Sequence, residues 1–326
     1  MHFPELTEIS ARGGVENAIS SLATRIATIA RRQHGLVTKD QLADLGLSAK
    51  QVRGWTANGR FDRVLPGVLR LAGAPITPEQ ALFAAVLWGG SDALVSHRSA
   101  GELWGYDGVK AVTREITVPA AAMKRLTEIV VHNTRTLATQ RRTRRGLPIT
   151  TPERTLVDLA GVLNGKQLEI AFESARRERL VTVASVQRAL DRLGTRGRSG
   201  SEQLQKLLSV LAAEPPAESA LEVMAARLLR ESDLPKPQRQ VEVIASGVKY
   251  RLDFAWPDQL VALECDGRKW HEIERDYERD RERWSAIAAA TGYRFVFATW
   301  RRVKAQPVAI VAELRELSHG ETVTPS

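Results

Sequence analysis

A single cysteine, Cys265, in 326 residues excludes an internal disulfide and any zinc knuckle built on thiolates. The six histidines never fall at a ligand spacing such as HExxH, so oxygen donors are the expected metal ligands. Long apolar runs are also missing. The longest, Ala81 to Trp88, is far short of the roughly 20 residues a membrane-spanning helix needs. The opening residues MHFPELTEISARGG contain no apolar stretch of the secretory kind, so the expected location is cytoplasmic, without membrane contact.

What is present in excess is positive charge, and it is unevenly placed. Residues 1–200 carry 29 Lys and Arg against 18 Asp and Glu, a balance of +11, whereas residues 201–326 carry 18 against 20, or −2. A basic first portion joined to a part with clustered carboxylates suggests a polyanion grip followed by a metal centre. The length suits two or three domains, and the pattern along the chain suggests three.

Residues 20–73 read as three short helices and a hairpin. Leu22, Ile26 and Ile29 have helical spacing, Thr38 can cap a helix from Lys39, and Ser48 can cap another over Ala49 to Ala57, stopped by Asn58-Gly59. Phe61 to Leu71 alternates about Pro66-Gly67. This is the order of a winged helix-turn-helix, whose third helix enters the major groove. Lys50, Gln51 and Arg53 are then the candidates for contact with DNA, with Arg60, Arg63 and Arg70 near the wing and phosphates. Residues 76–193 read as a mixed α/β middle domain with helices at Glu79 to Trp88, His97 to Trp104 and Pro152 to Val162, and strands at Glu115 to Val118 and Ile129 to His132. Arg141, Arg142, Arg144 and Arg145 sit in an expected loop, and His97 and His132 receive no chemistry because neither has a partner at ligand spacing. Residues 194–217 form a linker, GTRGRSGS, and a connecting helix.

From residue 218 to 318 the order is helix, three antiparallel strands, a crossover helix and a further strand, an αβββαβ core of α/β type. Within YRLDFAWPDQLVALECDGRKWH (Tyr250 to His271), Tyr250, Leu252, Phe254 and Trp256 alternate with Asp253, and Leu263 and Cys265 alternate with Glu264 and Asp266. A turn centred between Asp258 and Gln259 places Asp253 opposite Glu264. Two carboxylates side by side repel each other unless a hard divalent cation lies between them. Glu222 fits the capping box Ser219-Ala220-Leu221-Glu222 and could equally supply a carboxylate to that site.

The strings RLDFAWP (Arg251 to Pro257), LECDG (Leu263 to Gly267), His271, Asp280-Arg281 and GYRFVFATW (Gly292 to Trp300), with Leu221-Glu222, resemble very-short-patch-repair-like endonucleases of the PD-(D/E)XK superfamily. The first helices and hairpin, with SHRSAGELWG (Ser96 to Gly105) and TTPERTLVDLAG (Thr150 to Gly161), are similar to AbiEi-type antitoxins of type IV toxin–antitoxin systems. The first resemblance implies Asp253 as bridging ligand and Glu264 as second ligand of Mg2+ or Mn2+, with Glu222 as a possible third. Asp266 stands where that family has its lysine, so it can only bind metal or accept a proton; His271 is then the leading general base, with Lys269 and Arg251 as electrophilic substitutes. Two functions follow: a metal-dependent DNA endonuclease acting in phage defence or repair, or a non-catalytic AbiEi-like repressor with a degenerate nuclease fold and a toxin or operon partner.

Overall fold

The computed structural model describes residues 22–120, 125–137, 140–267 and 274–319. They divide into two compact units: residues up to Gly105 with Val109–Val162 and Ser185–Ser201, and Tyr106–Gly108 with Leu163–Ala184 and the chain from Glu202 onward.

The first unit opens with α1 (residues 22–32), β1 (Leu36–Thr38), α2 (Lys39–Asp44), α3 (Ala49–Ala57), β2 (Phe61–Leu65) and β3 (Val68–Leu71). Both short helices begin with a reciprocal capping box. Thr38 pairs with Gln41 and Ser48 with Gln51, each cap contributing about 1 kcal/mol. Gly67, at φ 82°, allows the tight turn between β2 and β3. The strands form an antiparallel sheet in the order β1-β3-β2. Ile26, Val37, Leu42, Val52, Phe61 and Leu69 fill the space between helices and sheet. The strand at 36–38 has no counterpart in the sequence pattern, because three residues are too few to show alternation.

The same unit continues through α4 (Pro78–Gly89), β4 (Leu94–Val95), α5 (His97–Trp104), β5 (Arg114–Pro119), β6 (Ile129–Thr134), β7 (Arg141–Arg144), β8 (Leu147–Thr150) and α6 (Pro152–Ala160). Thr77-Pro78 and Thr151-Pro152 start α4 and α6 in the same way, with a threonine side chain capping and proline in the first turn. The mixed five-stranded sheet has the order β6-β5-β4-β8-β7. Phe83, Val86, Val95, Ile116, Leu147 and Ile149 are among its buried residues. One expectation is corrected here: the arginine cluster expected in a loop forms the edge strand β7, paired antiparallel with β8. Its charges suit an edge, where they discourage pairing with a further chain.

The second unit contains α7 (Gly165–Arg177), α8 (Val183–Leu193), whose residues from Ser185 belong to the first unit, α9 (Ser201–Leu211), α10 (Ala220–Glu231), β9 (Gln238–Ala245), β10 (Val248–Trp256), β11 (Val261–Asp266), α11 (Glu274–Thr291), β12 (Arg294–Thr299), α12 (Trp300–Ala305) and α13 (Pro307–His319). Its sheet runs β12-β11-β10-β9, antiparallel throughout except that β11 and β12 are parallel across the α11 crossover. The expected helix, three strands, helix and strand are all present. Apolar residues of α10 and α13, including Leu221, Leu229 and Leu314, pack with Phe254, Leu263 and Val296. No described helix is long and apolar enough to cross a membrane.

Candidate functional site

The register of β10 and β11 pairs Phe254 with Leu263 and Trp256 with Val261, around a turn at Pro257–Gln259. One step further along the same ladder, Asp253 meets Glu264. There the ladder gives way to side-chain bonds: Asp253 N–H donates to Glu264 Oε1 at 3.0 Å, and Cys265 N–H donates to Asp253 Oδ2 at 2.8 Å. Each carboxylate is thus held by a backbone amide of the opposing strand, with its second oxygen left for a ligand. The expected single apolar face of β10 is split at this point. Leu252 packs with Ala262 and Ile287, whereas Phe254 packs with Leu221 and Leu263. Gln240, the β9 residue facing the break, has φ 56° and interrupts the β9 ladder at Asp253.

Asp253 and Glu264 open into a cleft of about 650 Å³ lined also by Glu222, Asp266, Arg251 and Arg283. Burial pushes Glu264 up to about 7 from its ordinary 4.5, and the neighbouring Asp253 charge adds to the effect. Burial raises Asp253 and Glu222 as well. The nearest cation to Glu264 in this cleft is Arg283, at 3.9 Å, while its guanidinium also donates to Arg251 O at 3.1 Å. Carboxylates so close that one resists ionisation are a donor set that a hard divalent ion would suit.

Glu222 serves the helix rather than the shared carboxylate pair. Its N–H donates to Ser219 Oγ at 3.1 Å, while its Oε2 accepts from Glu218 N–H at 3.0 Å and Gln240 Nε2 at 3.3 Å. The return bond thus reaches the residue before the expected cap. Asp266 ends β11 at the rim of the cleft. Arg251 pairs with Glu218 at 2.5 Å. His271 and Lys269 lie outside the described residues, as does Trp270. Cys265 is packed against the apolar cluster beneath, and burial pushes its thiol up, as fits an inert small residue.

In the first unit Lys50, Arg53, Arg60 and Arg63 are all exposed. Arg53 and Arg63 line one cleft with Lys39 and Pro66, between α3 and the β2–β3 hairpin. Arg60 lies over the Trp55 ring at 5.0 Å, and Arg70 is drawn to Asp62 at 2.8 Å. Gln51 departs from its expected use: its amide oxygen accepts from Ser48 N–H at 2.8 Å, so the side chain is committed to the cap.

A polar cluster that spacing along the chain does not show lies against the five-stranded sheet. His97 and His132 stack with ring centroids 3.3 Å apart and planes 12° apart. His132 Nε2 is 2.9 Å from Glu115 Oε2, and His97 Nδ1 is 3.0 Å from Ser96 Oγ. Behind them Arg154 and Asp158, both almost fully buried, form an ion pair at 2.8 Å.

Residues 25–72 match the family described as "Transcriptional regulator, AbiEi antitoxin", and residues 93–210 match the "AbiEi antitoxin C-terminal domain". The protein is thus a mixed α/β multidomain chain with AbiEi antitoxin-like domains. Two relatives, Uncharacterized protein MT2308 of Mycobacterium tuberculosis (strain CDC 1551 / Oshkosh) and Uncharacterized protein Rv2248 of Mycobacterium tuberculosis (strain ATCC 25618 / H37Rv), are each 28% identical over 199 residues, which is 61% of this chain and 71% of theirs. The crystal structure of RV2827C protein from Mycobacterium tuberculosis overlaps 70% of this chain and 89% of its own at 18% identity, with a TM-score of 0.38, too low a likeness to carry an argument. The antitoxin-like matches agree with the resemblance seen in the first 193 residues; they do not reach the β9–β12 sheet.

Proposed function

We propose that this chain is a DNA-binding transcriptional regulator of the antitoxin kind, acting on an operator duplex and paired with a toxin from the same operon. The observation that carries this reading is the set of exposed cations, Lys50, Arg53, Arg60 and Arg63, on α3 and the adjoining hairpin. Helix, helix and hairpin in that order make a winged helix-turn-helix. In it α3 lies in the major groove and the β2–β3 turn follows the phosphates. Arg53 and Lys50 face the groove, Arg60 and Arg63 the backbone. Gln51, committed to the cap, holds the start of α3 in place.

The test is binding to the duplex upstream of its own gene, followed by fluorescence anisotropy over a range of salt. Lys50→Ala with Arg53→Ala is expected to weaken binding by about 10- to 100-fold. Each lost phosphate contact should flatten the slope of log K against log salt by about 0.9. Unchanged affinity and slope in the double variant would refute the reading.

A second reading, a Mg2+- or Mn2+-dependent DNA endonuclease, is favoured by one observation, the meeting of Asp253 and Glu264 in a single cleft. A bound divalent ion would polarise a phosphodiester and acidify a water held on it. Asp253 and Glu264 would hold it through their second oxygens, and Arg283 would meet a phosphate oxygen. Asp266 in place of the superfamily's lysine leaves the attacking water without that cation, which weighs toward the regulator. If the endonuclease reading is right, supercoiled plasmid with Mn2+ is nicked by the wild type. Asp253→Asn then abolishes nicking, with DNA affinity within about twofold of wild type. No nicking by the wild type in any divalent ion removes this reading and leaves the regulator untouched.

A further inference from the structure

The cluster of His97, Glu115 and His132 is independent of both readings above. It arises from topology. Glu115, Thr117 and His132 share one face of the parallel pair β5–β6, where Thr117 lies opposite His132. His97 begins α5 directly after β4, which pairs antiparallel with β5, and Ser96 N–H donates to Glu115 O at 3.1 Å. One ligand atom from each of His97, Glu115 and His132 lies within 4.8 Å of the other two, which among the described residues singles out this group.

We propose that His97, Glu115 and His132 form a binding site for a late first-row divalent metal ion, with Zn2+ as the best-suited occupant. Two imidazoles and one carboxylate are a donor set such ions prefer, and three protein ligands leave room for water. Ser96 Oγ, 3.0 Å from His97 Nδ1, fixes that ring and directs Nε2 to the ion. Burial holds His97 well below its ordinary pKa, so its nitrogen keeps its lone pair.

Two further observations point to a missing ligand. His97 has φ 49°, a left-handed conformation that is costly for a residue with a Cβ and that marks functional positions. Thr117 Oγ1, on the same sheet face as Glu115, and Asp158 Oδ2 are buried without a hydrogen-bond partner, as water coordinated to an ion would remedy. The surrounding charges are compatible. Arg154 is paired with Asp158, and Arg198 lies 3.9 Å from the same carboxylate. Arg98, 3.4 Å from Glu115, is one-third exposed and can swing aside. The near-parallel stack requires one ring to turn about χ2, a soft torsion for histidine.

Tag-free full-length protein titrated with Zn2+ in a calorimeter, and with Co2+ followed by its visible ligand-field absorption, tests this. The expected result is one equivalent bound, with an absorption intensity typical of a four- or five-coordinate ion. His132→Ala is expected to weaken binding by on the order of 100-fold and Ser96→Ala by about 10-fold. Glu115→Gln supplies an independent variant should His132→Ala fail to fold by circular dichroism. Asp253→Asn must leave the Co2+ spectrum unchanged. Absence of a stoichiometric Co2+ spectrum in the wild type overturns the proposal, as does its survival in both Glu115→Gln and His132→Ala or its loss in a folded Asp253→Asn.

Discussion

Replacement of Glu264 by Gln is expected to raise the unfolding free energy at about pH 8 by up to roughly 3 kcal/mol, and to change it little near pH 4. Glu264 rises from 4.5 to about 7 because it is buried and faces Asp253. A shift of about 2.5 units corresponds to on the order of 3 kcal/mol, at about 1.4 kcal/mol per unit. The sign follows from proton counting. Between pH 4.5 and about 7 the folded chain binds the proton that the unfolded chain has released, so stability falls as pH rises through that window and then levels off. Glutamine has no charge to bury, and its amide oxygen can still accept from Asp253 N–H, so it avoids the fall. Urea unfolding of wild type and variant at several pH values measures the difference directly. Parallel curves from pH 4 to 8 would show that Glu264 ionises freely where it stands. Mg2+ adds a second arm: an ion shared with Asp253 stabilises the wild type at about pH 8, and more weakly the glutamine variant, with release of up to about one proton on binding near pH 6.

The part of this site that was legible in the sequence is the part governed by local periodicity. Alternation in Arg251 to Trp256 and Val261 to Asp266, with a turn at Pro257, fixes which residues of β10 and β11 oppose each other, and the observed Phe254–Leu263 pairing follows the expected register. The caps at Thr38, Ser48, Thr151 and Ser219 were legible for the same reason, since donor and acceptor lie three residues apart. Gln51 shows the limit of reading by exposure. It faces outward on α3 as expected, yet the capping box takes its side chain. The strand Arg141–Arg144 has no apolar alternation of its own and is a strand because β8 offers it a partner, a tertiary effect. His97 and His132 lie 35 positions apart, and only the β4–β5–β6 pairing brings their rings together. A search by ligand spacing along the chain is blind to such a pair. A usable signal was chemical: histidine, serine and arginine crowded in SHRSAGELWG at the start of a helix.

Arg154→Ala is expected to cost about 3–5 kcal/mol, the effect of leaving a buried carboxylate without its partner. Arg154 and Asp158 are each only 2% exposed at the side chain. The guanidinium donates from Nε to Asp158 Oδ1 at 2.8 Å, from Nη1 to Thr136 O at 2.9 Å and from Nη2 to Thr134 Oγ1 at 3.4 Å. It therefore ties α6 to the end of β6, the strand that carries His132. Asp158 Oδ2 already has no partner, and burial raises the Asp158 pKa, so removing Arg154 leaves the carboxylate with Arg198 at 3.9 Å as the remaining ion-pair contact shown for it. The unfolding midpoint of the first unit should fall by roughly 10 °C. A pH series separates charge from lost packing. In the variant Asp158 escapes the penalty by taking up a proton, so the deficit should shrink as the pH falls from about 8 to 5. Replacing both partners, Arg154→Met with Asp158→Leu, removes the stranded charge and should recover most of the loss, giving a favourable coupling of a few kcal/mol in the double-mutant cycle. A double variant as unstable as the two single losses added together would mean that the pair acts through packing alone.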